Sequence, residues 1–60
     1  MKQWYFKELV PGDATYLVAF ANRHNLVPGE VVCIREDFGD HNKGIVSSVR
    51  FMYYAKKELE

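Results

Sequence analysis

Ile45-Val46-Ser47-Ser48-Val49-Arg50-Phe51-Met52-Tyr53-Tyr54-Ala55 is the stretch on which the fold of this chain turns. It is rich in β-branched and aromatic residues and contains neither proline nor glycine, so it reads as a strand. Its two alternating sets are both partly apolar: Val49, Phe51 and Tyr53 on one side, Val46, Ser48, Arg50, Met52 and Tyr54 on the other. Edge strands usually avoid that pattern, which places this strand at the centre of a sheet.

Two further strands are expected on either side of it. Glu30–Glu36, with Val31, Val32, Cys33 and Ile34, precedes the polar loop Asp37-Phe38-Gly39-Asp40-His41-Asn42-Lys43-Gly44, so it and Ile45–Ala55 form an antiparallel hairpin. Lys2–Leu9 holds Trp4, Tyr5 and Phe6. A helix of about three turns separates it from the hairpin. Asp13 suits its N-cap, and Leu17, Phe20, Ala21 and His24 recur at helical spacing. Asn25 can take the left-handed conformation that ends a helix, and Pro28 forbids continuation. The helix therefore runs from Asp13 or Ala14 to His24 or Asn25. Val10-Pro11-Gly12-Asp13 and Val27-Pro28-Gly29-Glu30 flank it as turns, with glycine supplying the positive φ of a type II turn.

The order is β-α-β-β, an α+β mini-domain spanning residues 1–60. A central third strand gives an antiparallel sheet in the order 1-3-2 with the helix on one face. Lys56–Glu60 reads as a charged, frayed tail.

A chain of 60 residues has one thin core, worth no more than about 3–5 kcal/mol without a staple. The lone Cys33 rules out an internal disulfide and a four-cysteine zinc site, so oligomerisation is the staple left, and a homodimer is expected. Eight basic and eight acidic side chains cancel, which argues against extended nucleic acid as a partner. The apolar run Tyr16–Ala21 is far too short to cross a bilayer. Lys2, Lys7 and Glu8 break up any signal-peptide pattern, so no membrane association and a cytoplasmic location are expected.

One helix covers one face of a sheet, and the function of the chain is sought on the other. Assigning the more apolar set of each strand to the helix puts Trp4, Phe6, Val32, Ile34, Val49, Phe51 and Tyr53 inside. The open face then carries Tyr5, Lys7, Leu9, Val31, Cys33, Arg35, Val46, Ser48, Arg50, Met52 and Tyr54. Tyrosine, methionine and arginine are enriched at protein interfaces, and this favours a homodimer or protein-partner interface over a plain solvated surface. The third reading is a small anionic ligand such as a nucleotide, with Lys7, Arg35 and Arg50 on phosphate and tyrosines for stacking. Phe38, at the loop tip, is a further anchor for a partner.

Catalytic chemistry is not expected. Cys33 is the only strong nucleophile, and His24 and His41 are the only imidazole bases; a mid-strand cysteine is more commonly a small buried hydrophobe. Glu36, Asp37, Asp40, His41 and Asn42 hold ligand atoms, yet Asp, Asn and Gly are also the residues of an exposed turn, and the EF-hand pattern is missing. No metal and no cofactor are expected.

The hydrophobic hairpin closing on Val46-Ser47-Ser48-Val49-Arg50-Phe51-Met52-Tyr53-Tyr54, together with the segment order, resembles small phage- and sporulation-encoded proteins of Firmicutes. Most of those have no assigned function. The resemblance implies a bacterial or phage accessory protein, and non-enzymatic phage proteins of this size often inhibit host or defence systems.

Overall fold

Strand formation follows the β-branched and aromatic segments, and the helix starts where a side chain can cap it. The computed structural model describes residues 1–60. It contains β1 (Gln3–Leu9), α1 (Ala14–Arg23), β2 (Val31–Asp37) and β3 (Ser48–Ala55), with 3-10 turns at Pro28–Glu30 and His41–Lys43. The sheet order is β1-β3-β2, antiparallel throughout, with β3 in the centre as its two-sided apolar pattern demands.

Asp13 caps α1: its carboxylate accepts from the Thr15 N–H at 2.9 Å and the Tyr16 N–H at 3.4 Å. Glu36, on β2, accepts a further orphan donor, the Ala14 N–H, at 2.6 Å. Asn25 ends the helical segment in the left-handed region, at φ 57°. The two proline–glycine turns behave differently from expectation. Gly44 is the one glycine with positive φ, so neither Gly12 nor Gly29 supplies a type II conformation. Val27-Pro28-Gly29-Glu30 forms a 3-10 turn, in which Glu30 accepts from the Val27 N–H. Val10-Pro11 is a cis bond, and buried Gly12 lies against Leu9, where a β-carbon would come within 3.0 Å of the Leu9 carbonyl.

The core is small. Phe20 from α1 clusters with Val49, Phe51, Tyr53 and Ala55 of β3. Phe20 and Phe51 meet edge to face with centroids 5.2 Å apart, and Tyr53 lies tilted against both at 5.3 and 6.2 Å. Tyr5, Leu9, Leu17, Leu26, Val31 and Leu59 pack around this cluster half-buried. The molecule measures 45 × 18 × 17 Å, and its 12.4 Å radius of gyration exceeds the ~10 Å of a compact domain this long. No helix is long and apolar enough to cross a membrane.

The C-terminal segment is docked rather than frayed. The Leu59 N–H donates to the Tyr53 hydroxyl at 2.8 Å, and Leu59 joins the core periphery. Arg23 donates to the Glu60 carbonyl at 2.7 Å, and the His24 ring nitrogen meets the same oxygen at 2.6 Å. A tail rich in charge still carries one leucine, and a thin core recruits it.

Candidate functional site

The register of β1 and β2 on β3 decides which side chains share a face, because residues opposite each other point the same way. Tyr5 pairs with Tyr53, Lys7 with Phe51 and Leu9 with Val49. Odd-numbered residues of β1 are therefore on the helix side, and Trp4, Phe6 and Glu8 are on the open side. On β2, Val31 pairs with Tyr53 and Cys33 with Phe51, while Val32 pairs with Met52 and Arg35 with Arg50. The face assignment made from apolar content holds for Val49–Tyr54 of β3, although Ser48 is buried and Val46 lies outside the strand. It inverts for β1 and for Val31–Cys33 of β2, and the bulge returns Arg35 to the open face.

Tyr5 and Lys7, expected on the open face, belong to the helix side. Tyr5 stacks on Tyr53 with centroids 5.5 Å apart, and its hydroxyl accepts from the Gln3 amide at 2.7 Å. The Lys7 ammonium lies 5.7 Å from the centre of the Phe20 ring. Both are amphipathic side chains that cover the core with their stems and keep a polar tip at its margin. Cys33 also lies on the helix side but is exposed, since α1 leaves the β2 edge uncovered.

Arg35, Arg50, Met52 and Tyr54 do share the open face, in three rows across the sheet. The first row is aromatic: Trp4 and Tyr54, rings 5.2 Å apart. The second is Phe6, Met52 and Val32, wholly apolar. The third is Glu8, Arg50 and Arg35, charged. Trp4 is 47% exposed and Phe6 60%, values high for residues of that size. Ile34 sits in a β-bulge between Cys33 and Arg35 and is likewise exposed.

In the charged row, two arginines lie opposite each other, and each is held by its own acid. Arg50 donates to Glu8 across the sheet at 2.7 Å, and Arg35 donates to Asp37 on its own strand at 2.7 Å. The hydrogen bond and charge of Glu8 raise the Arg50 pKa above its ordinary value. With Asp37 counted, the two arginines and two acids cancel, and both cations are occupied.

Phe38 is 78% exposed, in the loop after β2 and outside the core cluster. The His24 ring lies tilted against Phe20 with centroids 4.7 Å apart, so the end of the helical stripe is a packing position. His41 lies in the 3-10 turn of the hairpin loop. No three His, Cys, Asp or Glu side chains converge on a metal-sized space. A groove of about 340 Å³ runs beside α1, lined by Leu9, Thr15, Tyr16, Ala19, Phe20 and Arg23. Its one cation, Arg23, is already bonded to the Glu60 carbonyl.

Trp4, Phe6 and Val32 are the open-face residues that sequence reasoning assigned to the helix side. A readable signal existed: putting Lys7 beside Arg35 and Arg50 stacks three cations without an acid, whereas the true register sets Glu8 opposite Arg50.

The chain is thus a small α+β protein of β-α-β-β order with an aromatic and aliphatic open sheet face. No known protein family, characterised protein or solved structure matches it.

Proposed function

We propose that this is a non-enzymatic binding protein that occupies a protein partner through the open sheet face. The observation that carries the reading is the pair of apolar rows, Trp4–Tyr54 and Phe6–Met52–Val32, uncovered by any element of the chain. Monomers rarely leave contiguous apolar patches beyond a few hundred Å² in water, and larger ones rimmed by polar groups mark interaction sites. The ion-paired row Glu8–Arg50–Arg35 supplies that rim. A small phage or bacterial accessory protein that inhibits or regulates its target is the biological class this reading fits.

The small-anion alternative has less support. Of its three cations, Lys7 belongs to the other face, and Arg35 and Arg50 are engaged by Asp37 and Glu8. The rows hold no nucleophile beside a base, which is why a binding role is preferred to a catalytic one.

The test is capture from the native host with wild type and with Met52→Glu, which places a carboxylate in the middle row. A partner retained by wild type and lost by Met52→Glu supports the reading. Identical capture by both, with Met52→Glu folded, removes it. A nucleotide panel in thermal shift addresses the alternative, since a ligand at 100 times its Kd adds about 2.7 kcal/mol.

A further inference from the structure

β1 and β2 are the two edges of the sheet, and β2 is the more heavily guarded; β1 carries only the two charges Lys7 and Glu8. β2 carries a bulge between Cys33 and Arg35 and then three consecutive charges, Arg35, Glu36 and Asp37. Bulges and charges are the devices that keep an edge from pairing with another strand. β1 has no bulge, proline or glycine over seven residues, and its register on β3 is unbroken from Gln3↔Ala55 to Leu9↔Val49. Apart from its ladder with β3, no hydrogen bond in the chain uses the backbone of residues 3–9. Its outer row of N–H and C=O groups is a free template.

The residues of β1 also complement themselves. A two-fold axis relating two antiparallel copies of one strand passes through a residue matched with its own copy. For Gln3–Leu9 at full overlap that residue is Phe6. The pairs are then Phe6 with Phe6, Tyr5 with Lys7, Trp4 with Glu8 and Gln3 with Leu9. No like charges stand opposite, and an aromatic pair forms on the axis, the kind of cross-strand contact that stabilises sheets. Sliding the pairing to put Lys7 on the axis shortens the overlap and opposes two ammonium groups.

We propose that two copies of this chain pair antiparallel through their β1 edges, with the two-fold axis at Phe6, into one continuous six-stranded sheet. The contact is isologous and closes on itself. Main-chain hydrogen bonds supply the attraction, as in other strand-addition complexes. It covers the outer flanks of Trp4 and Phe6 and leaves the middle and far strands of the open face uncovered. It stands independently of the partner-binding reading above.

Sedimentation and light scattering of the whole chain test it. Wild type is expected to be a dimer at about 100 µM, and Phe6→Lys, which opposes two cations on the axis, is expected to weaken dimerisation at least about tenfold. Val32→Lys, on the same face but the opposite edge, is expected to leave the dimer intact. Matched Cα atoms in an antiparallel pair lie about 4.5–5.5 Å apart, within disulfide reach. Phe6→Cys in a Cys33→Ser background should therefore cross-link into a covalent dimer on mild oxidation, and this decides the matter if Phe6→Lys fails to fold. A monomeric wild type overturns the proposal. So does equal loss of the dimer in folded Phe6→Lys and Val32→Lys, which would mean face-to-face packing, or a Phe6→Cys chain that stays uncross-linked.

Discussion

The two faces of β3 carry aromatic residues of similar size and treat them in opposite ways. On the helix side, Phe51 and Tyr53 are fully buried against Phe20. One residue away, Tyr54 and Met52 lie beside Trp4 and Phe6 with no layer above them. The inner side is completed by amphipathic groups, Tyr5 and Lys7, while the larger hydrophobes of β1 point outward. The larger hydrophobes of β1 are thus the exposed ones, and Tyr5, Lys7 and Leu9 are half-buried.

The sharpest way to break the comparison is to remove one phenyl ring from each face. Phe51→Ala should cost about 3–5 kcal/mol. That is on the scale of the whole stability of a single core this size, about 3–5 kcal/mol, so the variant should be largely unfolded by circular dichroism. Phe6→Ala should cost only about 0.2–1 kcal/mol, the worth of a cross-strand pair, in urea melts dilute enough to keep the chain monomeric. Equal losses at the two sites would mean that the open face is not open in solution.

A smaller effect tests how far the buried side extends. Tyr53→Phe keeps the ring and removes the hydroxyl that accepts from the Leu59 N–H. The expected loss is about 1 kcal/mol, with faster amide exchange over the last residues. Unchanged exchange would return Lys56–Glu60 to the frayed tail its charge suggests.

The smallest effect is in pH. The Glu30 carboxyl is held below the ordinary glutamate range, chiefly by its hydrogen bond from Lys2 and then by the Val27 N–H. A folded pKa below the unfolded one gives stability that is present above the unfolded value. It is lost as pH falls through the folded value. Wild type should therefore lose slightly more Tm than Glu30→Gln between about pH 5 and about pH 3. A steeper loss in Glu30→Gln would contradict the assigned pairing.

Much of the fold was legible because it rests on local chemistry. Asp13 as the cap, Asn25 in the left-handed region and the two-sided pattern of β3 each follow from a few neighbouring residues. The turns were less so: proline–glycine pairs suit several geometries, and here Gly12 is placed by close contact with Leu9 rather than by its φ. Within the candidate site, Arg35, Arg50, Met52 and Tyr54 were found, and Tyr5 and Lys7 were exchanged for Trp4 and Phe6. Apolar content alone misled there, because a strand of alternating large residues looks equally able to bury either side. Cys33 and Leu59 were misplaced for other reasons: a mid-strand cysteine read as a buried hydrophobe is exposed, and a leucine in a charged tail is docked.

By itself, the sequence determined the element order, the helix caps and the central place of β3, since propensity, capping and alternation act over a few residues. Only the tertiary structure decided which face of β1 is inward, because no hairpin ties β1 to β3 and a shift of one residue would turn every side chain over. That register places Glu8 opposite Arg50 and leaves Trp4 and Phe6 uncovered. The open face and the less guarded β1 edge are consequences of long-range pairing.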